Sequence, residues 1–511
     1  MHKCGVRICK FLATIAVFSL LLAGCMGDDS PSDAEESRLS VGPAVAGASP
    51  FIQLVEFNGE NLGRISYVNF TVQAKSGSVS KPVNVTQYRS YLERQGYLVS
   101  NSTTVKIPVF GLYSGGSNTV KFEVGFEDGS HLSFSKELTS PTYVDPAAIY
   151  DRLRVLKARV ANDKIGFDFF ALQSGSGTPA IYDTDGQLRW VGVPPVLNAA
   201  HSLFVNGGFV IGGSDGDVSM MLTRLELDGT SNSKLVVAPP YIGFHHNLDL
   251  GKTGYLGEFD ARINGVDYIE TILAELTDEG HVLTEWDFGK IIADFMTKNG
   301  DDPSKFVRPG VDWFHMNAAL YDPQDDSVVA SSRENFLIKV DYKTKEIVWI
   351  FGDPSKYWYT FPSLRSKALT LAPGGLYPIG QHGITISPDK KLLLFNNGYQ
   401  SFQQPAGAPQ GDSRNYSAVV AYTIDAAGKT ATENWRFDYN KSIFADICSN
   451  PQQTPDGSIL VNYASASGRT TSRQVGLNPQ HQVVFDFELP TTLCQTSYHS
   501  TVVPLEALNL R

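Results

Sequence analysis

At 511 residues the chain is long enough to bury a sizeable core and to carry more than one domain. Its formal net charge of −11 and the lack of a basic cluster beyond the extreme N-terminus exclude a nucleic-acid footprint, so no such partner is expected. Apolar residues at 42% with 46 glycines fit a turn-rich globular protein rather than a disordered one.

The first element is a targeting segment. Lys3, Arg7 and Lys10 precede an apolar run, Phe11 to Leu22, that is too short to span a bilayer. The run ends in Leu22-Ala23-Gly24-Cys25, which resembles a bacterial lipobox and implies cleavage before Cys25 and lipid on its thiol. Residues 1–24 are therefore expected to be a signal peptide, and 25–48, acidic and rich in Ser and Ala, a flexible tether. No second apolar run of membrane length follows, so the only membrane contact expected is the lipid anchor. Cys4 and Cys9 leave with the signal and Cys25 is lipidated. The two thiols that remain in an exported chain, Cys448 and Cys494, are expected to pair. Closing that loop stabilises the fold by about 4 kcal/mol in the chain-entropy account.

Residues 49–145 alternate apolar and polar in short runs such as Tyr67-Val68-Asn69-Phe70-Thr71-Val72, separated by turns such as Asn58-Gly59 and Asp128-Gly129. This predicts a small antiparallel β-sandwich, bounded near Pro141 to Pro146. From about residue 150 to 511 a hairpin recurs six times: an apolar strand, a polar turn, and a strand usually carrying an aromatic. The copies start at Ile181, Leu225, Leu276, Val340, Tyr422 and Leu477, and the second lacks the aromatic. Such a repeat predicts an all-β protein in which a six-bladed β-propeller follows the sandwich, each blade holding one outer hairpin.

A second recurring element lies between the hairpins, and in four copies it opens with a histidine: His201, His246, His315 and His382. The corresponding segment near Ser449 has none. In a propeller the first strand of each blade lines the central channel, so equivalent positions converge on one axis. Histidines gathered there act as metal ligands or as acid, base and nucleophile. His131, His281 and His481 fall in hairpin turns and are expected to be solvated. His499 stands at the channel edge without an assigned role.

The successive segments Phe244-His245-His246-Asn247-Leu248, Asp312-Trp313-Phe314-His315-Met316-Asn317, Ser331-Ser332-Arg333 and Gly380-Gln381-His382-Gly383 resemble the signatures of bacterial arylsulfate sulfotransferases, over nearly the whole mature chain. The resemblance implies transfer of a sulfuryl group from an aryl sulfate donor to a phenol acceptor by a ping-pong route, without a nucleotide donor and without a cofactor or metal. By position, His382 resembles the nucleophile that becomes a sulfohistidine. His246, His315 and Arg333 resemble the residues that hold the sulfate oxygens and handle the phenol proton. Asn317, His245, Trp313 and Phe314 are added as substrate-binding candidates, the two aromatics as platforms for the aryl ring. Alignment of Asn247 with Asn317 and Gly383 puts His246 rather than His245 in the channel. The resemblance also implies a cell-envelope protein facing the periplasm, anchored at the outer membrane, with a homodimer as the assembly to test.

Two other readings compete. One is a metal-dependent propeller hydrolase, against which no Asp or Glu stands beside His246 or His382 within the signatures, and Arg333 would repel a cation. The other is a non-enzymatic lipoprotein propeller that presents a face to a partner. Gly251-Lys252-Thr253 and Gly428-Lys429-Thr430 lack the rest of a phosphate loop, and Gly212-Gly213-Ser214-Asp215-Gly216 lacks the helix of a nucleophile elbow.

Overall fold

A computed structural model of the chain describes residues 39–60, 62–99, 101–193, 198–215, 219–236 and 240–511. The signal segment, the start of the tether and Cys25 lie outside the described residues. Among the described residues, no helix is long and apolar enough to cross a membrane.

The N-terminal part forms two sheets. The alternation read in the sequence decides their faces: along Ile65–Val72, Val68, Phe70 and Val72 are buried while Asn69 and Thr71 are partly exposed. One sheet joins Ser40–Ala46, Ile52–Asn58 and Thr104–Phe110. The other joins Val83–Tyr88, Ile65–Val72, Gly116–Phe126 and His131–Ser140, with the C-terminal Leu508–Leu510 added in parallel beside Val83–Tyr88. Phe57, Phe70, Ile107 and Phe122 share one core with Trp190, Phe209 and Leu225 from the repeats, so this part and the repeats are packed as one body there. The strand Ser40–Ala46 corrects the expected tether of residues 25–48. Its small residues carry no clear alternation, and it is held as an edge strand by pairing Ser40 with Asn58 and Ala46 with Gln53.

The rest of the described residues build six sheets of four or five strands, antiparallel except where Thr370–Leu371 adds in parallel beside Thr430–Phe437. The third and fourth strands of each, in sheet order from the histidine side, contain the hairpins read in the sequence, for instance Leu337–Asp341 with Ile347–Phe351 and Thr471–Leu477 with Val483–Pro490. On the opposite edges, Ser202–Val205 and Met316–Asp322 begin just after His201 and His315, His382–Ile386 begins at its histidine, Tyr241–Leu250 contains His246, and Asn450–Gln453 is the edge without a histidine. Each of these edges packs against the next in the series. Two long-range additions complete the set. His499–Val502 supplies the corresponding edge of the first sheet, beside Phe169–Gln173, and Arg154–Lys157 adds a fifth strand to the last. Cys448 and Cys494 are joined in a disulfide, one before Asn450–Gln453 and one after Val483–Pro490, so the bridge ties two ends of the sixth sheet.

Three edge strands break register near their histidines: between His245 and Leu248, between Met316 and Ala318, and between His382 and Thr385. His246, His315 and Gly383 there adopt φ of +43°, +50° and +55°. A bulge re-aims a side chain, and a left-handed backbone at a non-glycine residue stores strain of the kind that collects at functional sites. At Gly383 the left-handed backbone and crowding act together. A Cβ there would stand 2.4 Å from that of Asn450, so only glycine fits beside His382.

Candidate active site

The bulges bring His246, His315, Arg333 and His382 into one neighbourhood. Arg333 donates its backbone N–H to the carbonyl of His315 at 3.0 Å, across the paired strands of the fourth sheet. The His246 and His315 rings are 4.7 Å apart. The charges of Arg333 and His315 both act on His382.

His382 is 2% exposed, and its Nδ1 lies 2.8 Å from Oδ1 of Asn397 and 3.0 Å from the carbonyl of Gly380. Asn397 donates its amide to the carbonyls of Ala445 and Cys448, which fixes its oxygen toward the ring. Both neighbours of Nδ1 are acceptors, so Nδ1 carries the proton and Nε2 holds the lone pair. Burial, then the Arg333 charge, hold this imidazole well below the ordinary histidine range. A neutral ring with a defined lone pair is the state a nucleophile requires.

His315 is the opposite case. Burial alone would depress it, but the Glu270 carboxylate and Asp312 outweigh that and raise it to about 10. Its Nδ1 lies 2.5 Å from Asp312 and 2.9 Å from Glu270. The imidazolium is thus charged at neutral pH and leaves Nε2–H to donate to an anion.

His246 is wired at both nitrogens. Nε2 is 2.9 Å from Glu270, and Nδ1 is 2.6 Å from the hydroxyl of Tyr498. Burial lowers it, with Glu270 opposing, so the ring is neutral and donates Nε2–H to the carboxylate while Nδ1 accepts from Tyr498. His245 is clamped between Asp260 at 2.7 Å and Glu270 at 2.8 Å. Burial would lower it, but these two carboxylates raise it to about 11. The ring beside His315 is therefore that of His246, and His245 supports it from the side.

Arg333 is 1% exposed. Its Nη1 donates to Glu334 at 2.7 Å, its Nη2 reaches the carbonyl of Gln400 at 3.4 Å, and its guanidinium lies 3.5 Å from the centre of the Phe402 ring. Its Nε is buried without a partner. Glu334 also accepts from the backbone N–H groups of Phe402 and Gln403, so one carboxylate fixes both the arginine and the segment that covers it.

The remaining candidates divide. Asn317 donates to the carbonyl of Gln381 at 2.8 Å and so locks the residue before His382, while its own Oδ1 is buried without a partner. Trp313 and Phe314 are 2% and 0% exposed, packed among Phe306, Phe336 and Phe288. As aryl platforms they are corrected: hydrophobic burial claims both rings for the core. Among the described residues, His201 and His499 each keep one buried nitrogen without a partner, and burial pushes both down to about 3. His499 also lies 3.1 Å from Asn247, which places it among the site's neighbours.

Sequence reading missed Glu270 and Tyr498. Glu270 is 24 residues from His246, in the third strand of the same sheet, where the register breaks and its own φ is +50°. Nothing local in the sequence marks it. Tyr498 stands next to His499 and meets His246 across 252 residues. The signatures hold no carboxylate beside His246, and Glu270 supplies one from outside them. Atoms of His245, His246 and Glu270, and of Glu270, Asp312 and His315, lie within 4.8 Å of one another, as a divalent cation would need. At 2.5 to 2.9 Å these contacts are hydrogen bonds, and we read them as a hydrogen-bonded network.

The mostly β fold and this site describe a protein with a buried neutral histidine facing a cationic histidine and an arginine, a set suited to an anionic group. The sequence profile of the arylsulfotransferase (ASST) family matches residues 148–499, and the chain belongs to that family. It is 28% identical over 206 residues to the arylsulfate sulfotransferase AssT of Escherichia coli O6:H1 (strain CFT073), which covers 37% of this chain and 31% of that protein. It is 23% identical over 497 residues to AssT of Lelliottia amnigena, covering 76% and 78%. The chain thus matches under a third of the length of the first relative and over three quarters of the second. Among solved structures, a europium-containing methanol dehydrogenase overlaps at a TM-score of 0.31 and 11% identity, over 72% of this chain and 74% of that one. The β-propeller domain of Cps50 (Swd1) from Myceliophteria thermophila overlaps at 0.35 and 11%, over 65% and 87%. At that level of overlap nothing about this chain's fold or chemistry follows from either.

Proposed function

We propose that the protein transfers a sulfuryl group from an aryl sulfate to a phenol through a sulfohistidine at His382. The observation that carries this reading is the pairing of a neutral, lone-pair-bearing His382 with the positive charges of His315 and Arg333. Nε2 of His382 attacks sulfur, the S–O bond to the aryl oxygen breaks, and the phenolate leaves. A phenol then attacks the same sulfur and returns the lone pair to Nε2. Sulfuryl transfer asks a protein chiefly for in-line positioning and for charge opposite the equatorial oxygens, as phosphoryl transfer does. His315 Nε2–H and the Arg333 guanidinium are the groups for that task. The six sheets, with adjacent edge strands meeting and the two ends of the repeat region adding strands to the last and first, support a six-bladed propeller preceded by a β-sandwich.

Purified protein should release phenol from a chromogenic aryl sulfate much faster when an acceptor phenol is added. Release that ignores every phenol offered and yields free sulfate would make it a hydrolase. The Glu270 cluster favours metal-dependent hydrolysis as the second reading, and loss of activity on chelation, restored by one equivalent of metal, would select it. We expect chelation to leave transfer unchanged.

The protonation states set the pH dependence. His382 stays neutral to well below the ordinary histidine value of about 6.5, and His315 stays charged up to about 10. With a nitrophenyl donor, kcat/KM should be flat through the range where a free histidine titrates and should fall only as His315 loses its proton. An inflection between about pH 6 and 7 counts against this assignment.

The lipobox-like segment supports anchoring through Cys25 at the periplasmic side of the outer membrane. Cys25→Ser should leave the protein out of the membrane fraction or unprocessed, and a variant that stays membrane-bound would refute the anchor.

A further inference from the structure

We propose that Tyr498, His246 and Glu270 form the proton relay for the phenol oxygen, with Tyr498 the catalytic residue that touches it. The proposal rests on the sulfuryl-transfer reading and goes beyond it in assigning the path of the proton. His246 cannot take a proton from a substrate directly, because Nε2 faces Glu270 at 2.9 Å and Nδ1 is occupied by the Tyr498 hydroxyl at 2.6 Å. A substrate proton that reaches His246 at Nδ1 arrives through that hydroxyl. Tyr498 has one proton, donated to Nδ1, and lone pairs left to accept another hydrogen bond. Its ring lies nearly parallel to that of His246, with centroids 5.6 Å apart. Its backbone N–H is tied to the carbonyl of Gln173, and its carbonyl accepts from the amide of Asn462, so the hydroxyl is held in place from both sides. Burial pushes the Tyr498 phenol well above its usual range, so it keeps its proton until a neighbour supplies another. Glu270 is 5% exposed in a left-handed backbone, and its carboxyl is held well below the usual range by the surrounding histidines despite burial. It closes the chain as an ionised acceptor.

The step balances as follows. In the second half-reaction the phenol oxygen bonds to sulfur, and the S–N bond to His382 breaks with its electron pair returning to Nε2. The phenol proton passes to the Tyr498 oxygen as the Tyr498 proton passes to Nδ1 of His246. The Nε2 proton of His246 shifts onto Glu270. A first half-reaction that follows draws on the proton left on Glu270 and runs the same chain in reverse to protonate a departing phenolate that needs it.

The experiment uses Tyr498→Phe, which keeps the ring and removes only the hydroxyl. Wild type and variant are charged with 4-nitrophenyl sulfate alone, and the labelled enzymes are discharged with phenols of graded acidity at pH 8. A nitrophenolate leaving group and an ionised nitrophenol acceptor need no relay. A phenol with pKa near 10 does. Charging and discharge to the nitrophenol should stay within about threefold of wild type, while discharge to the weakly acidic phenol slows by about 10²- to 10³-fold, the range of general acid–base catalysis. A merely structural role for Tyr498 would slow every acceptor alike. Equal loss with all acceptors, no loss with any, or a variant that is not charged where wild type is would each overturn the relay alone. A wild type that is not charged overturns the transfer reading on which the relay stands.

Discussion

His382→Asn should lower sulfuryl transfer by at least about 10⁴-fold, the scale on which removal of an enzyme nucleophile is felt. The fold should survive the change. Asn is smaller than His and can still donate to Asn397 or to the Gly380 carbonyl, the two acceptors that hold Nδ1. It offers no basic nitrogen at the place of Nε2. Because His382 is nearly fully buried, no solvent group takes over its position. Retention of more than a few per cent of wild-type transfer would mean that another group attacks sulfur, or that donor and acceptor react directly.

Arg333→Lys should be the second large effect, a loss of about 10²- to 10³-fold in kcat, as for removal of one preorganised donor facing developing charge. Lysine keeps the charge and loses the planar fork. In the protein the fork is over-determined: Glu334 takes Nη1, the Gln400 carbonyl takes Nη2, and the Phe402 ring stacks on the guanidinium. An ammonium satisfies at most part of that set. Glu334 would then be left with a weaker partner in a site that is 1% exposed, so a drop in thermal stability should accompany the kinetic loss. The measurement is kcat with a nitrophenyl donor alongside a melting curve. Activity within about fivefold of wild type would show that a point charge suffices and that the fork is structural.

The architecture was legible where it repeats. The six hairpins read from the sequence fall on paired strands of six different sheets, because a polar turn between an apolar and an aromatic strand is a local signal. The histidine positions were legible for the same reason, since each opens, borders or lies within an edge strand of its sheet. The strand additions by Arg154–Lys157, His499–Val502 and Leu508–Leu510 were not, since each pairs across hundreds of residues. Trp313 and Phe314 show the limit of motif reading. They sit in the same signature as His315, and their size commits them to the core. Glu270 and Tyr498 were hidden more deeply. A glutamate within an apolar strand meets His246, 24 residues away, only where the register of their own sheet breaks, and a tyrosine near the C-terminus meets it only once segments 252 residues apart are laid side by side. What decides the chemistry here is this outer set of contacts: Asn397 fixes the tautomer of His382, Asp312 and Glu270 hold the charge on His315, and Tyr498 occupies His246.

The most direct test of the sulfohistidine is to expose the enzyme to 4-nitrophenyl sulfate with no acceptor and weigh it. The protein should gain the mass of a single SO₃ group, labile in acid, located on the peptide containing Gly380 to Ser387, and His382→Asn should gain none. Enzyme that stays unmodified after exposure to donor, while still transferring sulfate once a phenol is added, would contradict the covalent route.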